Sequence, residues 1–210
     1  MLPATSLPRV LWQYVASWLQ GDKAIIRLRA TCRWLRRIEI HQLPKHMERR
    51  LTAKRLQSVK SIRRLGIYGC MNVTNEMIKS CIQLEWLSVY DTNVTWFPST
   101  LRHLDIYKRE DVNNEMIQSC TRLEWLDASY TKITWFPRTL RYLDIYGCKV
   151  VMNEMLQNAF QTETSHLEWL DASWTNVTWF PSTLRHLYIR NRTDITVEML
   201  AHLKNCEITR

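Results

Sequence analysis

The chain has little glycine, 4 in 210 residues, and only 6 prolines. That excludes a collagen-like helix and a low-complexity linker protein. It also lacks any run of about 18 apolar residues, the length a spanning helix needs. The opening residues Met1-Leu2-Pro3-Ala4-Thr5 show no basic stretch leading into an apolar one, as a secretory signal would. The expected setting is therefore a reducing compartment, cytoplasmic or nuclear and not secreted, where thiols stay free. The cysteines Cys32, Cys70, Cys81, Cys120, Cys148 and Cys206 contain no Cys-x-x-Cys pair, so no metal site is expected. No nucleophile elbow, phosphate loop or metalloprotease motif is present, so neither catalysis nor a cofactor is expected. His103-x-Asp105 comes nearest to an acid–base pair, but its repeat becomes Tyr142-x-Asp144, which a catalyst would not tolerate.

What is present is a globular composition, 46% hydrophobic and 23% charged, with 10 Trp, 8 Tyr and 4 Phe. The net charge of +9 is unevenly placed. Residues 1–60 hold 13 Lys/Arg against 3 Asp/Glu, and residues 61–210 hold 16 against 17, giving +10 and −1. The basic part calls for an acidic partner, protein or nucleic acid, unless its charges are simply solvated helix faces.

Self-comparison gives the strongest signal. Leu84-Glu-Trp-Leu recurs at Leu123 and Leu167, and Thr95-Trp-Phe-Pro at Thr134 and Thr178, at spacings of 39 and 44 residues. Asn75-Glu-Met-Ile recurs at Asn114 and, as Asn-Glu-Met-Leu, at Asn153. Within each block LxxLxL starts twice: at Ile62, Leu84, Leu101, Leu123, Leu140, Leu167, Leu184 and Leu203. This is the signature of leucine-rich repeats, in which each LxxLxL is a short strand and stacked repeats share one core. The longer half-repeats leave room for a short outer helix, with Met77, Ile78 and Cys81 inward in the first. The shorter ones end in Pro98, Pro137 and Pro181 and should return extended. The five extra residues near Gln161-Thr-Glu-Thr-Ser belong on the outer side. Cys70 and Cys148 occupy one repeat position, Cys81 and Cys120 another, and these read as buried small apolar residues or as partners of the turn backbone.

Side chains alternate along a strand, so positions 1, 4 and 6 of LxxLxL face the core, and 3, 5 and 7 line the concave side. Position 3 reads Arg64, Trp86, His103, Trp125, Tyr142, Trp169, His186. Position 5 carries Asp105, Asp127, Asp144 and Asp171, and position 7 Tyr68, Tyr90, Tyr107, Ser129, Tyr146, Ser173 and Arg190. Carboxylates in register repel unless compensated, and a basic ligand would compensate them. The expected target-binding residues are Trp86, Tyr90, His103, Asp105, Tyr107, Trp125, Asp127, Tyr142, Asp144, Tyr146, Trp169 and Asp171, acting through ionic and cation–π contacts. The alternative is that repetition alone multiplies these surface residues. Position 2 alternates in sign (Arg63, Glu85, Arg102, Glu124, Arg141, Glu168, Arg185) and reads as structural.

Residues 7–40 have the spacing of three short helices, the first opened by Ser6 and Pro8, the second capped at Gly21-Asp22. Leu7, Pro8, Leu11, Val15, Leu19, Asp22, Ile26, Cys32, Arg33, Trp34 and Ile38 resemble the F-box pattern. Arg9-Val10 departs from it where an acidic residue is usual, and Trp34 falls about one position early. The alternative is a helical cap on the solenoid. The longer half-repeat resembles the cysteine-containing repeat of many F-box proteins, with Arg109 and Arg192 standing where the first Cys is usual. The order, F-box first and repeats after, is that of F-box leucine-rich-repeat proteins. The resemblance implies an α/β architecture: an F-box-like helical domain over 1–44, a helical connector over 45–61, and a repeat domain over 62–210. The repeat domain would set a parallel sheet on the concave side, with short helices and extended segments on the convex side. It further implies a substrate-recognition subunit of a Skp–cullin–F-box ubiquitin ligase. Leu7, Pro8, Leu11, Val15, Leu19 and Ile26 would bind the acidic Skp adaptor, and the repeats a target protein. A plain interaction scaffold, or a nucleic-acid binder using residues 1–60, are the other two readings.

Overall fold

The computed structural model describes residues 62–162 and 165–210. The helical segments expected over 1–44 and 45–61, with the six adaptor-binding residues, lie outside the described residues. Eight three-residue strands line up in chain order in one parallel sheet: β1 Arg64–Gly66, β2 Trp86–Ser88, β3 His103–Asp105, β4 Trp125–Asp127, β5 Tyr142–Asp144, β6 Trp169–Asp171, β7 His186–Tyr188 and β8 Glu207–Thr209. Four helices lie on the return path of the longer coils: α1 Asn75–Lys79, α2 Asn114–Ile117, α3 Asn153–Phe160 and α4 Val197–Leu200. Among the described residues no helix is long and apolar enough to cross a membrane.

Each strand is short because each coil buries one residue per strand. Leu65, Leu87, Leu104, Leu126, Leu143, Leu170 and Leu187 form a fully buried row, flanked by the other LxxLxL positions. Phe97, Phe136 and Phe180 of the short coils fill the core opposite them. The helices start where Thr74, Asn113 and Thr196 accept the N–H of Met77, Met116 and Met199, satisfying one of the donors a helix start leaves open.

Two kinds of polar contact hold coil to coil. Asn75, Asn114 and Asn153 each accept two backbone N–H groups of the following short coil (Thr95 and Trp96, Thr134 and Trp135, Thr178 and Trp179) and donate to its threonine hydroxyl. In the other direction, long coils reach back to the preceding short coil. The Cys148 thiol donates to the Ala128 carbonyl at 3.0 Å. Arg109 and Arg192 do the same work with a larger group. The buried Arg109 guanidinium donates to the Val89 and Val94 carbonyls and the Thr92 hydroxyl, and is gripped by both Asp111 oxygens. Arg192 repeats this with Ala172, Val177, Thr175 and Asp194. The departure from cysteine therefore exchanges one donor for several, with the charge neutralised locally.

The alternating row at position 2 forms three ion pairs, Arg63–Glu85, Arg102–Glu124 and Arg141–Glu168. Cys70, Cys81, Cys120 and Cys148 are buried, and burial pushes the Cys120 thiol up to about 11.

The structure departs from the sequence expectation in three places. The eighth coil does not use Leu203 as its first position: Ile208, not Cys206, pairs with Leu187. A two-residue slip keeps every side chain on its own face, so the pattern alone cannot exclude it. The extra length after Leu140 is not all loop, since α3 has eight residues against five in α1 and four in α2, and buries Ala159 and Phe160. Ser129 and Ser173 at position 7 are buried, where the tyrosines at that position in other coils are exposed or half-buried.

Candidate functional site on the concave face

The concave face is built by the strands and by the turns that follow them. The sheet register sets Asp105, Asp127, Asp144 and Asp171 side by side on adjacent strands, which lie about 4.8 Å apart. Their repulsion is met first from within. One oxygen of each accepts a backbone N–H two residues on, from Tyr107, Ser129, Tyr146 and Ser173 respectively. Ser88 and Ser129 hydroxyls donate to Asp105 and Asp144. Part of the compensation that the charge argument looked for in a basic ligand is thus supplied by the chain itself. It is not complete. Desolvation, aided by the neighbouring carboxylates, raises Asp127 and brings Asp144 up to about 6 despite those donors.

Two columns of rings wall this row. On one side His103, Trp125, Tyr142 and Trp169 stack, with centroids 6.2, 4.7 and 3.9 Å apart and planes within 28°. At β7 the stack leaves position 3: Trp169 meets Tyr188, which stands in register with Asp171 and closes the carboxylate row. His186 turns instead to Glu207. Trp86 stands in register with His103 at the other end, its ring covered by the Arg64 guanidinium at 5.3 Å. Tyr188 is covered likewise by Arg190. The ring faces are therefore spent on one another or on the chain's own cations. Stacked in this way, the position 3 rings form a rigid apolar wall beside the carboxylates.

On the other side runs a tyrosine column, Tyr68, Tyr90, Tyr107, Tyr130 and Tyr146, with neighbouring centroids 4.8 to 5.9 Å apart. Tyr130 was missed from sequence. It stands one residue after the buried Ser129 and fills that coil's place in the column. Trp174 bears the same relation to Ser173 and is exposed. Both have positive φ, 55° and 58°. The whole row that follows position 7 does: Gly69, Asp91, Lys108, Tyr130, Gly147, Trp174 and Asn191. Each of β1 to β7 leaves the sheet through one left-handed residue. A comparison of position 8 across coils would have shown the aromatic displaced by one in both Ser coils.

All twelve residues expected at the target site lie on this face. Eleven belong to the aspartate row and its two ring columns, and Trp86 extends one end.

No family model and no curated protein sequence matches the chain. Among solved structures it is similar to an internalin of Listeria monocytogenes, with TM-score 0.53 and 17% identity over 76% of this chain and 49% of that one. It is also similar to the mouse RP105/MD-1 complex, with TM-score 0.52 and 14% identity over 82% of this chain and 36% of that one. The chain thus spans about half or less of the length of each. These similarities show the leucine-rich-repeat fold.

Proposed function

We propose that this leucine-rich-repeat chain is a non-catalytic recognition subunit of a Skp–cullin–F-box ubiquitin ligase. Its concave trough holds a basic segment of a target protein. The observation that supports target binding most is the trough itself: four carboxylates in register, partly desolvated, at fixed spacing between two ring walls. Lys or Arg side chains laid along it replace the water those carboxylates have lost, and a preformed sheet spends no ordering entropy on the contact. The adaptor half of the reading rests on the F-box-like residues Leu7, Pro8, Leu11, Val15, Leu19 and Ile26 standing ahead of the repeats. The balance of +10 over residues 1–60 suits an acidic adaptor.

Each half has its own test. Wild-type protein should capture adaptor and cullin from a eukaryotic lysate, and Leu7→Ala/Pro8→Ala should not. Capture by neither, with both folded, leaves an interaction scaffold. A labelled lysine-rich peptide followed by fluorescence anisotropy should bind wild type and lose at least about tenfold with Asp127→Lys/Asp144→Lys. Unchanged peptide affinity in that folded variant removes the trough as the site. Binding of the chain to RNA or DNA with a steep salt dependence would favour the nucleic-acid reading.

A further inference from the structure

The rim of the trough carries a cation of the chain's own. Lys108, just after β3, has φ 56° and is exposed. Its ammonium lies 5.1 Å from the Tyr107 ring centroid and 5.6 Å from that of Tyr130. The two rings are 5.9 Å apart at 78°, edge to face, so they form two walls of a corner with the ammonium against both. Beside the corner opens a cleft of about 580 Å³, lined among others by Tyr90, Asp91, Glu110 and Asp111. Asp111 is engaged by Arg109 and Glu110 by Lys132, which leaves the Lys108 ammonium to the tyrosines.

The corner is built at a cost. A bulky residue is disfavoured at positive φ, and Tyr130 holds φ 55°. The next coil makes room for its ring with Gly147, where a Cβ would lie 2.8 Å from the ring carbons. Tyr130 thus reaches the column from a residue position that in every other long or short coil up to β5 carries no ring. Of the three carboxylates that line the cleft, Asp111 is bound to the buried Arg109 and Glu110 to Lys132, which leaves Asp91 to face the Lys108 position.

We infer that the Tyr107–Tyr130 corner is a binding subsite for an alkylammonium group of the target, a lysine side chain or its N-methylated form, and that Lys108 is the displaceable occupant of the free protein. Two rings set at an angle can contact a tetrahedral ammonium from two sides at once, which the parallel stack on the opposite wall does not offer. The inference rests on the trough as the site of a basic segment and adds one lysine-specific position at its rim. An incoming ammonium takes the ring faces, and Lys108 swings out to solvent.

The corner can be tested without the trough carboxylates. Tetramethylammonium is titrated into the full chain and its proton resonance followed by NMR. Lys108→Met, which keeps length and removes charge, should produce a saturable upfield shift at least about fivefold tighter than wild type. Lys108→Met/Tyr130→Gly should abolish it, and glycine at residue 130 suits the positive φ, so that variant keeps the fold. Lys149→Met, an exposed lysine elsewhere on the surface, should behave as wild type. Equal binding by all four proteins, or a gain that persists without the Tyr130 ring, overturns the inference. If the corner binds tetramethylammonium while the lysine-rich peptide ignores Asp127→Lys/Asp144→Lys, the trough reading fails and the subsite stands. The opposite pair of results removes the subsite alone.

Discussion

Asp144 is the residue at which folding and recognition oppose one another. Its carboxyl is held near 6 when folded, by desolvation first and its neighbours Asp127 and Asp171 after, against about 3.9 in an unfolded chain. The folded protein therefore takes up a proton more readily than the unfolded one. Stability should rise as pH falls from 7 through 6 towards 4, by on the order of 1–3 kcal/mol. Asp144→Asn keeps an oxygen for the Tyr146 N–H and the Ser129 hydroxyl. It should raise the urea midpoint at pH 7 and flatten its change between pH 7 and pH 5. A wild-type midpoint that is the same at both pH values would contradict this. The lysine-rich peptide should bind wild type less tightly at pH 5, for the same proton. Glycines divide by a different rule. Gly147→Ala meets both a φ of 73° and the Tyr130 ring, and should cost about 2–4 kcal/mol. Gly69→Ala, with φ 65° and its nearest contact, an Asp91 oxygen, at 3.9 Å, should cost about 1 kcal/mol. Equal thermal shifts for the two would deny the Tyr130 ring its role there.

At the scale of the coil, two interfaces alternate. A long coil grips the short coil after it through the asparagine clamp and the Arg–Glu pair, and plugs the short coil before it through Cys148, Arg109 or Arg192. Asn114→Ala strips partners from the Thr134 and Trp135 N–H groups and the Thr134 hydroxyl, and should cost about 2–3 kcal/mol in urea unfolding. Arg102→Ala breaks an exposed ion pair and should change stability by less than about 1 kcal/mol. Arg109→Ala leaves two carbonyls and Asp111 without their donor and should cost about 3–5 kcal/mol, whereas Arg109→Cys should recover part of it by the bond Cys148 makes. Most of these coils were legible in the sequence. Leu84-Glu-Trp-Leu announces a strand because its period of two is bounded by turn residues, and Asn75-Glu-Met-Ile a helix because Met77 and Ile78 fall inward. The clamps were not legible: an asparagine at a helix start reads as a cap, and only the fold shows it bonding across to the next coil. The eighth strand was misplaced because Leu203-x-x-Cys206-x-Ile208 fits the repeat pattern in full, whereas the register the sheet adopts puts Asn205 at the first position, where the pattern calls for an apolar residue.

For the whole molecule, stability is a sum over neighbours, and the coils within the stack have more of them than the last. The leucines of β2 to β7 are fully buried, while Ile208 in β8 is only partly so. Amide hydrogen exchange should therefore show β3 to β6 protected longest and β8 opening first. Protection equal across all eight would mean the coils unfold as one unit. The concave face was largely legible at this scale, since period two places its residues without any knowledge of contacts. Its chemistry was less so. Which ring faces remain free depends on how rings stack between strands, and the left-handed exit that brings Tyr130 into the column has no marker when the residue there is not glycine.

The alternation also sets how such a chain can grow. Inserting a single coil would bring arginine beside arginine, or glutamate beside glutamate, at position 2, and would strand an asparagine with no short coil to hold. The unit that leaves every junction intact is one long and one short coil, 39 residues in the regular case. A gene that gains one such unit lengthens its trough by about 9.6 Å and two carboxylates, with no new surface to solve. Reach towards a longer basic segment is thus available in steps, and only in whole pairs.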